Sequence, residues 1–184
     1  MRAPTTIDAL LVAAVFSRHS EAFAWAKPRL AQIWGPIALE SDPFPFEYTG
    51  YYTKAMGPGL TKQLLVFQRL VPLAGLADIK LAANNLEEEL QATGQFPDER
   101  PINIDPGLLT LGKFMLATTK DQAHRIYLGQ KIFAEVTLRY EDGEYVPWPW
   151  TYADYREPFV RDFLNQAREY YKSRLRHLQS LDGD

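Results

Sequence analysis

The apolar positions of the chain first indicate a buried strand and a helix near its beginning. Residues 10–16 are continuously apolar over the length of a strand, which predicts a central strand covered on both faces. Ser20 then offers an N-cap, and apolar residues at helical spacing follow as far as Gly35, a typical helix end. Pro28 lies inside this helix and is expected to kink it or to end its first part.

Helical spacing recurs twice more. Apolar residues at intervals of three and four predict a second helix over 76–90, closed by Gly94. A third stripe predicts a long helix from about residue 155 to 178. The chain therefore contains about three principal helices.

Short strands fill the remaining sequence. Residues 48–52 and 63–70 read as two strands joined through 56–59, and four further candidates lie near 102–104, 113–118, 125–128 and 132–140. Glu141-Asp142-Gly143 is a hairpin-turn signal that pairs the last of these with Tyr145 and Val146. No linker or repeat divides the chain. The order of elements predicts a single α+β domain over 1–184 with a mixed, mainly antiparallel sheet.

Composition narrows the class of protein. The 46% hydrophobic and 13% aromatic content suit a packed core, while a net charge of −3 disfavours nucleic-acid and membrane binding. The absence of cysteine excludes disulfides and thiolate chemistry. The start of the chain resembles a signal peptide around its apolar run, but a buried strand explains that run better, which predicts a cytoplasmic protein. No feature of the sequence fixes the oligomeric state.

Charge is uneven along the chain. Residues 100–140 hold six Lys/Arg and three Asp/Glu, so this segment carries +3 and the remainder −6. A basic segment in an acidic protein favours a small anionic ligand, although surface charges also cluster by chance.

The first candidate site within this segment is Asn103-Ile104-Asp105. Alternate strand residues share a face, so the amide and the carboxylate point the same way at a strand end that Pro106-Gly107 is expected to terminate. Such a carboxylate can accept a proton, bind a metal or orient a substrate. The alternative is that both side chains cap a turn by binding backbone N–H groups.

A second cluster contains Thr118, Thr119, Lys120, His124 and Arg125. These hydroxyl, ammonium and guanidinium groups suit a phosphate or carboxylate, and the imidazole suits general acid–base chemistry or metal ligation. The alternative is an ordinary polar turn between two strands.

Two strand residues extend the candidate site. Lys113 is a further cation for an anionic ligand, and Glu135 interrupts an otherwise apolar strand. If Glu135 faces the same cleft as Asp105 and His124, the three side chains can hold a divalent cation or act in catalysis. If its strand face is solvated, it is an ordinary exposed residue.

Trp148-Pro149-Trp150 forms an unusual aromatic segment. The two indoles can form a wall on which a base or sugar stacks. Equally, they can close the end of the core before the last helix.

Five strings in this region resemble a known family: NIDPG, ATTKD, HRIYLG, FAEVTL and PWPWTYADYR. They are similar to the bacterial family called domain of unknown function 4416, whose members are often labelled GTP-binding protein. The resemblance extends over nearly the whole chain and is most specific in residues 100–156. It implies a small bacterial cytoplasmic protein of unassigned activity. The sequence itself contains neither a GxxxxGK[ST] phosphate loop nor an NKxD string.

Together these observations favour a domain that binds, or acts on, a phosphorylated or nucleotide-like anion. The alternative is a non-catalytic interaction module that contacts another protein through the aromatic-rich segments 44–52 and 148–155. RNA binding through the basic segment is a third interpretation, which the acidic net charge weakens.

Overall fold

A nine-stranded sheet forms the centre of the molecule. The computed structural model describes residues 8–181; residues 1–7, which precede the apolar run of the leader-like start, lie outside the described residues. In chain order the elements are β1 (Asp8–Ser17), α1 (Ser20–Trp34), β2 (Ile37–Glu40), β3 (Phe44–Pro45), α2 (Thr53–Met56), β4 (Thr61–Pro72), a 3-10 turn (Leu73–Gly75), α3 (Leu76–Ala92), β5 (Asn103–Leu109), β6 (Lys113–Thr118), β7 (Ile126–Gly129), β8 (Ile132–Glu141), β9 (Glu144–Pro147), a second 3-10 turn (Ala153–Arg156) and α4 (Pro158–Leu181). The predicted α+β class is confirmed.

Strand order explains why the first apolar run is buried. The main order is β2-β4-β1-β5-β6-β8-β7, with β3 beside β4 and β9 beside β8. Every pairing among the described strands is antiparallel. β1 lies between β4 and β5, and its residues 9–17 are all buried. The predicted central strand is therefore confirmed.

Both faces of this sheet are covered, because side chains of β1 alternate between two apolar clusters. Leu11 and its same-face neighbours pack against α1 and α3, through residues such as Leu30 and Leu86. Leu10 and its neighbours pack against α4, through residues such as Leu164. The molecule thus has a helix layer on each side of one sheet, and the face toward α4 also carries the polar residues described below.

The first helix differs from its predicted details. Ser20 is its first helical residue, the cap position is His19 without a side-chain capping bond, and Ser20 Oγ donates to Glu21. The helix runs through the exposed Pro28 without interruption. Gly35 ends it as predicted, with φ +95° and its N–H bound to Ala31.

The predicted strand over 48–52 is wrong. This segment is a turn leading into the short helix α2, because local bonds replace ladder bonds: Thr49 Oγ1 accepts from the N–H of Tyr51, and Gly50 accepts from that of Thr53. The partners of β4 on this side are instead β2 and β3. β4 itself includes the predicted 63–70 and is longer.

The strand at Asn103 does not stop at Pro106-Gly107, as the sequence suggested, but continues to Leu109. Proline is tolerated because the β5–β6 pairing covers only 107–109, which leaves Pro106 paired on the β1 side alone. Gly107 allows β6 to approach β5 closely, since a Cβ at this position would lie 2.5 Å from the carbonyl oxygen of Met115.

Local turn chemistry placed the last hairpin correctly. Asp142 and Gly143 both have positive φ, as a type I′ turn requires, and Tyr140 pairs with Tyr145. The final helix begins at Pro158, slightly later than predicted, because residues 153–156 form a 3-10 turn. None of the helices in the described part of the chain has the length and apolar content to cross a bilayer.

Candidate functional site

A cavity of about 400 Å³ lies over one end of the sheet, on the face toward α4. Strand register creates its floor. Phe16 of β1 pairs with Lys62 on one side and with Asn103 on the other, and Asp105 lies opposite Ala14. Lys62, Asn103 and Asp105 consequently lie on the same face of the sheet, with Phe16 between Lys62 and Asn103.

Aromatic side chains form much of the wall. The turn before α2 and the segment before α4 face one another across the floor, and three of their tyrosines are at least one-third exposed. The aromatic lining consists of Phe16, Phe46, Tyr48, Tyr51, Tyr52, Tyr152 and Tyr155. The cavity therefore combines flat aromatic surfaces with a polar floor.

Lys62 and Asp154 form a buried ion pair on this floor. The Nζ–Oδ2 distance is 2.6 Å, and each side chain is only 4% exposed. The ammonium group also lies 4.6 and 4.7 Å from the ring centroids of Phe46 and Tyr155. Burying two charges is costly, so this pair depends on close geometry and aromatic contacts. The Tyr155 hydroxyl is itself buried and has no hydrogen-bond partner within residues 8–181.

Asp105 is held by two donors. Lys80 Nζ donates to Asp105 Oδ1 at 3.0 Å and to the carbonyl oxygen of Ile104 at 2.9 Å, while Asn103 Nδ2 donates to Asp105 Oδ2 at 2.7 Å. Burial opposes ionisation of Asp105, but the ammonium groups of Lys80 and Lys62 and the two hydrogen bonds lower its pKa overall. This carboxylate is ionised at neutral pH.

Arg100 and Glu87 form a second layer beside Asp105. Glu87 Oε2 accepts from Arg100 at 2.6 Å, and its Oε1 accepts from the backbone N–H of Ile104 at 2.6 Å. Burial raises the pKa of Glu87, and the opposing effects of Lys80 and Arg100 do not cancel it. Glu87 thus fixes the start of β5 from behind the cavity.

Arg125 is bonded on all three of its guanidinium nitrogens. Nε donates to Glu135 at 2.9 Å, one terminal nitrogen to the carbonyl oxygen of Lys120 at 2.9 Å, and the other to the Tyr152 hydroxyl at 2.7 Å. The side chain is 3% exposed, and that of Glu135 is 1% exposed. Burial, and then the nearby charge of Glu135, raise the pKa of Tyr152 to about 12. Arg125 is therefore a buried connector between the cavity wall and its floor.

His124 lies behind Glu135. Its Nε2 is 3.2 Å from Glu135 Oε2, and its ring stacks on Trp150 with 5.1 Å between centroids. Trp150 stacks in turn on Trp148, and the Arg139 guanidinium lies 4.5 Å from the ring centroid of Trp148. Both indoles therefore stack on side chains of the protein itself.

Lys120 differs from the other cations of the lining. Its Nζ lies 3.5 Å above the ring of Tyr51, and no carboxylate of residues 8–181 is within ion-pair distance of it. The hydroxyls of Thr118 and Thr119 line the same part of the cavity. This is where the lining has uncompensated positive charge.

The structure brings together six of the residues selected from the sequence. The residues that line the cavity are Asn103, Asp105, Thr118, Thr119, Lys120 and Glu135. His124 and Arg125 lie behind Glu135 and contact it directly. Lys113, Trp148 and Trp150 lie outside the lining.

The predicted metal trio does not assemble as a metal site. His124 contacts Glu135, whereas Asp105 is bound by Lys80 and Asn103. In the part of the chain that the structure describes, no group of three His, Asp or Glu side chains is arranged to hold a metal ion.

Sequence reasoning missed four charged residues of the lining: Lys62, Lys80, Arg100 and Asp154. One signal was present. Lys80 and Glu87 lie on the same helical stripe as Leu76, Ala83 and Leu90, and all five are buried. A charged side chain in an apolar stripe needs a partner, so these two positions indicated buried polar partners on a neighbouring element, which are residues 104 and 105 of β5.

A protein-family model matches most of the chain. The family is described as "Domain of unknown function (DUF4416)", and its model matches residues 7–171. Neither the curated proteins nor the solved structures contain a significant match to the chain.

Proposed function

This chain belongs to the DUF4416 family, and from the geometry of its cavity we propose that it binds a small organic anion with a planar ring, as a nucleotide has. One observation carries the proposal: an aromatic cavity of about 400 Å³ has a floor of buried and partly buried ion pairs and a cation, Lys120, that has no carboxylate partner among residues 8–181. Cavities of this size and mixed lining are typical of small-molecule sites.

The ion pairs support a binding role because removing their charges from water costs desolvation free energy. Replacing a buried ion pair by apolar residues is often neutral or stabilising, so folding alone does not require the two buried pairs Lys62–Asp154 and Arg125–Glu135 at one cavity, beside the partly buried Lys80–Asp105. Lys62–Asp154, Lys80–Asp105 and Arg125–Glu135 offer fixed donors and acceptors to a ligand instead. The unpartnered Tyr155 hydroxyl adds a further polar group at this wall.

The tyrosines suit the planar part of the ligand, and Lys120 suits its anionic group. Arg125 has no free nitrogen, so in this proposal it positions Tyr152 and the backbone of Lys120 and does not contact the anion. If the domain is an enzyme, Glu135 is the one of the three lining carboxylates that His124 contacts, and this pair is placed for proton transfer.

The proposal extends to cellular location and to the GTP-binding label of family members. We propose a cytoplasmic location because the apolar run that resembles a signal peptide is the buried central strand β1. Nucleotide binding, where it occurs, uses this cavity, since the sequence has no phosphate loop.

Calorimetric titration with guanosine and adenosine 5′-monophosphates and with ribose 5-phosphate tests the proposal. We expect at least one to bind, and Lys120→Ala to weaken that binding roughly 10- to 100-fold, as loss of a charge-assisted contact would. Lys113→Ala is the matched control, because Lys113 lies in the same basic segment but outside the lining. Absence of binding by all three compounds, or equal weakening by the two variants, would refute the proposed site.

A protein-interaction role is the second candidate, and one observation favours it. Strand β7 lies at the end of the sheet order, and its Ile126, Tyr127 and Leu128 are 70%, 59% and 41% exposed. An exposed apolar edge strand is suited to pairing with an extended segment of another protein. Sedimentation and crosslinking of wild type and Tyr127→Lys test this role; a monomer without partners in both would reject it.

A further inference from the structure

A second cavity, of about 360 Å³, adjoins the first. We call the first, aromatic cavity the inner cavity and the second the outer cavity. Asn84, Arg100 and Thr119 line both cavities, so they form the junction between them. Lys120, next to Thr119 in the chain, lines the inner cavity but not the outer one. A ligand that reaches from the inner cavity to the outer one therefore meets the three shared side chains, with Lys120 adjacent to one of them in the chain.

The junction offers several unoccupied donors. Arg100 uses Nε and one terminal nitrogen on Glu87, and its other terminal nitrogen has no acceptor within residues 8–181. The Asn84 amide and the Thr119 hydroxyl likewise have no hydrogen-bond partner there. With Lys120 these groups supply one positive charge without a carboxylate partner among the described residues, a free terminal nitrogen of the guanidinium paired with Glu87, and two neutral polar groups, a set that suits one phosphate or carboxylate.

The outer cavity has the opposite charge. Beyond the junction its wall carries Glu87, Glu88 and Glu99. Glu88 and Glu99 are exposed, and no cation of the described residues is within ion-pair distance of either. A chain of further phosphates leaving the junction would run along these carboxylates, and each added phosphate charge would be repelled by them.

We infer that the ligand has a single terminal anionic group, held at the junction by Arg100 and Lys120, and that the outer cavity excludes polyphosphates. This inference rests on the proposed function and specifies its ligand class: a nucleoside monophosphate or a comparable ring compound with one phosphate or carboxylate. In this proposal the inner cavity binds the ring of the ligand. The carboxylates of the outer cavity disfavour ligands that carry further phosphates beyond the first.

Titrations with adenosine, adenosine 5′-monophosphate and adenosine 5′-triphosphate test the inference; the guanosine series is used if guanosine 5′-monophosphate is the tighter monophosphate. Divalent cations are omitted, because they would neutralise the phosphates. We expect the monophosphate to bind at least tenfold more tightly than the nucleoside and than the triphosphate. The double variant Glu88→Gln/Glu99→Gln should reduce the ratio of monophosphate affinity to triphosphate affinity about tenfold. Glu89→Gln is the control, because Glu89 is exposed on the same helix but lines neither cavity.

The junction itself is tested by Thr119→Val, which keeps the volume of the side chain and the Arg100–Glu87 pair. It should weaken the monophosphate severalfold and leave the nucleoside unchanged. A triphosphate that binds wild type as tightly as the monophosphate, or a double variant with an unchanged ratio, would overturn the inference while leaving the proposed function intact. If no member of either series and no sugar phosphate binds, the proposed function fails and the inference falls with it.

Discussion

Replacing Arg125 by alanine separates two views of this residue. From the sequence, the guanidinium of Arg125, in the most basic segment, was expected to bind a phosphate or carboxylate. In the structure the side chain is 3% exposed and bonds Glu135, the backbone of Lys120 and the Tyr152 hydroxyl. We therefore expect Arg125→Ala to destabilise the fold strongly.

The magnitude follows from what the substitution leaves behind. Glu135 is 1% exposed, and without Arg125 its remaining partners are His124 and Thr137, at 3.2 and 3.3 Å. Removing one member of a buried pair typically costs about 3–5 kcal/mol, because the other charge is left uncompensated. For a chain of this length that corresponds to a fall in Tm of roughly 6–20 °C.

Urea denaturation of four proteins measures this effect: wild type, Arg125→Ala, Glu135→Gln and the double variant. If the stranded charge is the cause, the double variant should recover about half or more of the loss. Lys172→Ala is the control for an exposed ion pair, since its partner Glu169 is 62% exposed, and it should change stability by about 0–1 kcal/mol.

Two results would contradict the reasoning. One is a loss for Arg125→Ala no larger than that for Lys172→Ala. The other is an additive double variant, which would mean that Arg125 and Glu135 do not depend on one another. Either would return Arg125 to the role of an exposed residue available to a ligand.

Three further predictions concern the floor and its support. The pKa of Asp105 is below the ordinary aspartate value of 3.8, so its ion pair with Lys80 stabilises the native state above pH 3.8, and this stabilisation is lost as the pH falls further. Asp105→Asn should therefore reduce the loss of unfolding free energy at acid pH, measured by denaturation as a function of pH. Gly107→Ala places a Cβ 2.5 Å from the carbonyl oxygen of Met115 and should cost about 1–3 kcal/mol in denaturation, whereas Gly112→Ala meets nothing within 4 Å and should be nearly neutral. Thr151→Val removes two hydrogen bonds of a buried hydroxyl, to the N–H of Trp148 and the carbonyl of Thr137, and should cost about 1–3 kcal/mol by the same assay; an unchanged midpoint would show that neither bond matters.

Features with a local cause were predictable from the sequence. The hairpin at Asp142-Gly143 was found because positive φ at both positions is a property of those residues and their neighbours. The turn at 48–52 was mistaken for a strand because its aromatic residues resemble strand residues, while the bond between Thr49 and the N–H of Tyr51 is not visible in a pattern of hydrophobicity. Pro106 looked like a strand end because the sequence does not reveal which side of β5 is paired.

The candidate site was predictable only where its residues are close in sequence. Asn103 with Asp105 and Thr118 with Lys120 were found as local clusters, and both reach the cavity. Lys62 and Asp154 were not found, because 92 positions separate them and strand register alone brings them together. A single charged residue in a strand or turn gives no sign of a partner so distant.

The distance between Lys62 and Asp154 along the chain also bears on synthesis and folding. As the protein leaves the ribosome, β4 is complete long before residues 152–155 emerge, and until then Lys62 remains in water with its hydration intact. The cavity floor can close only after the segment before α4 has been made and has docked. A nascent or truncated chain ending before that segment therefore contains most of the sheet but no assembled cavity floor, so closure of the floor reports that residues 152–155 have been made and have docked.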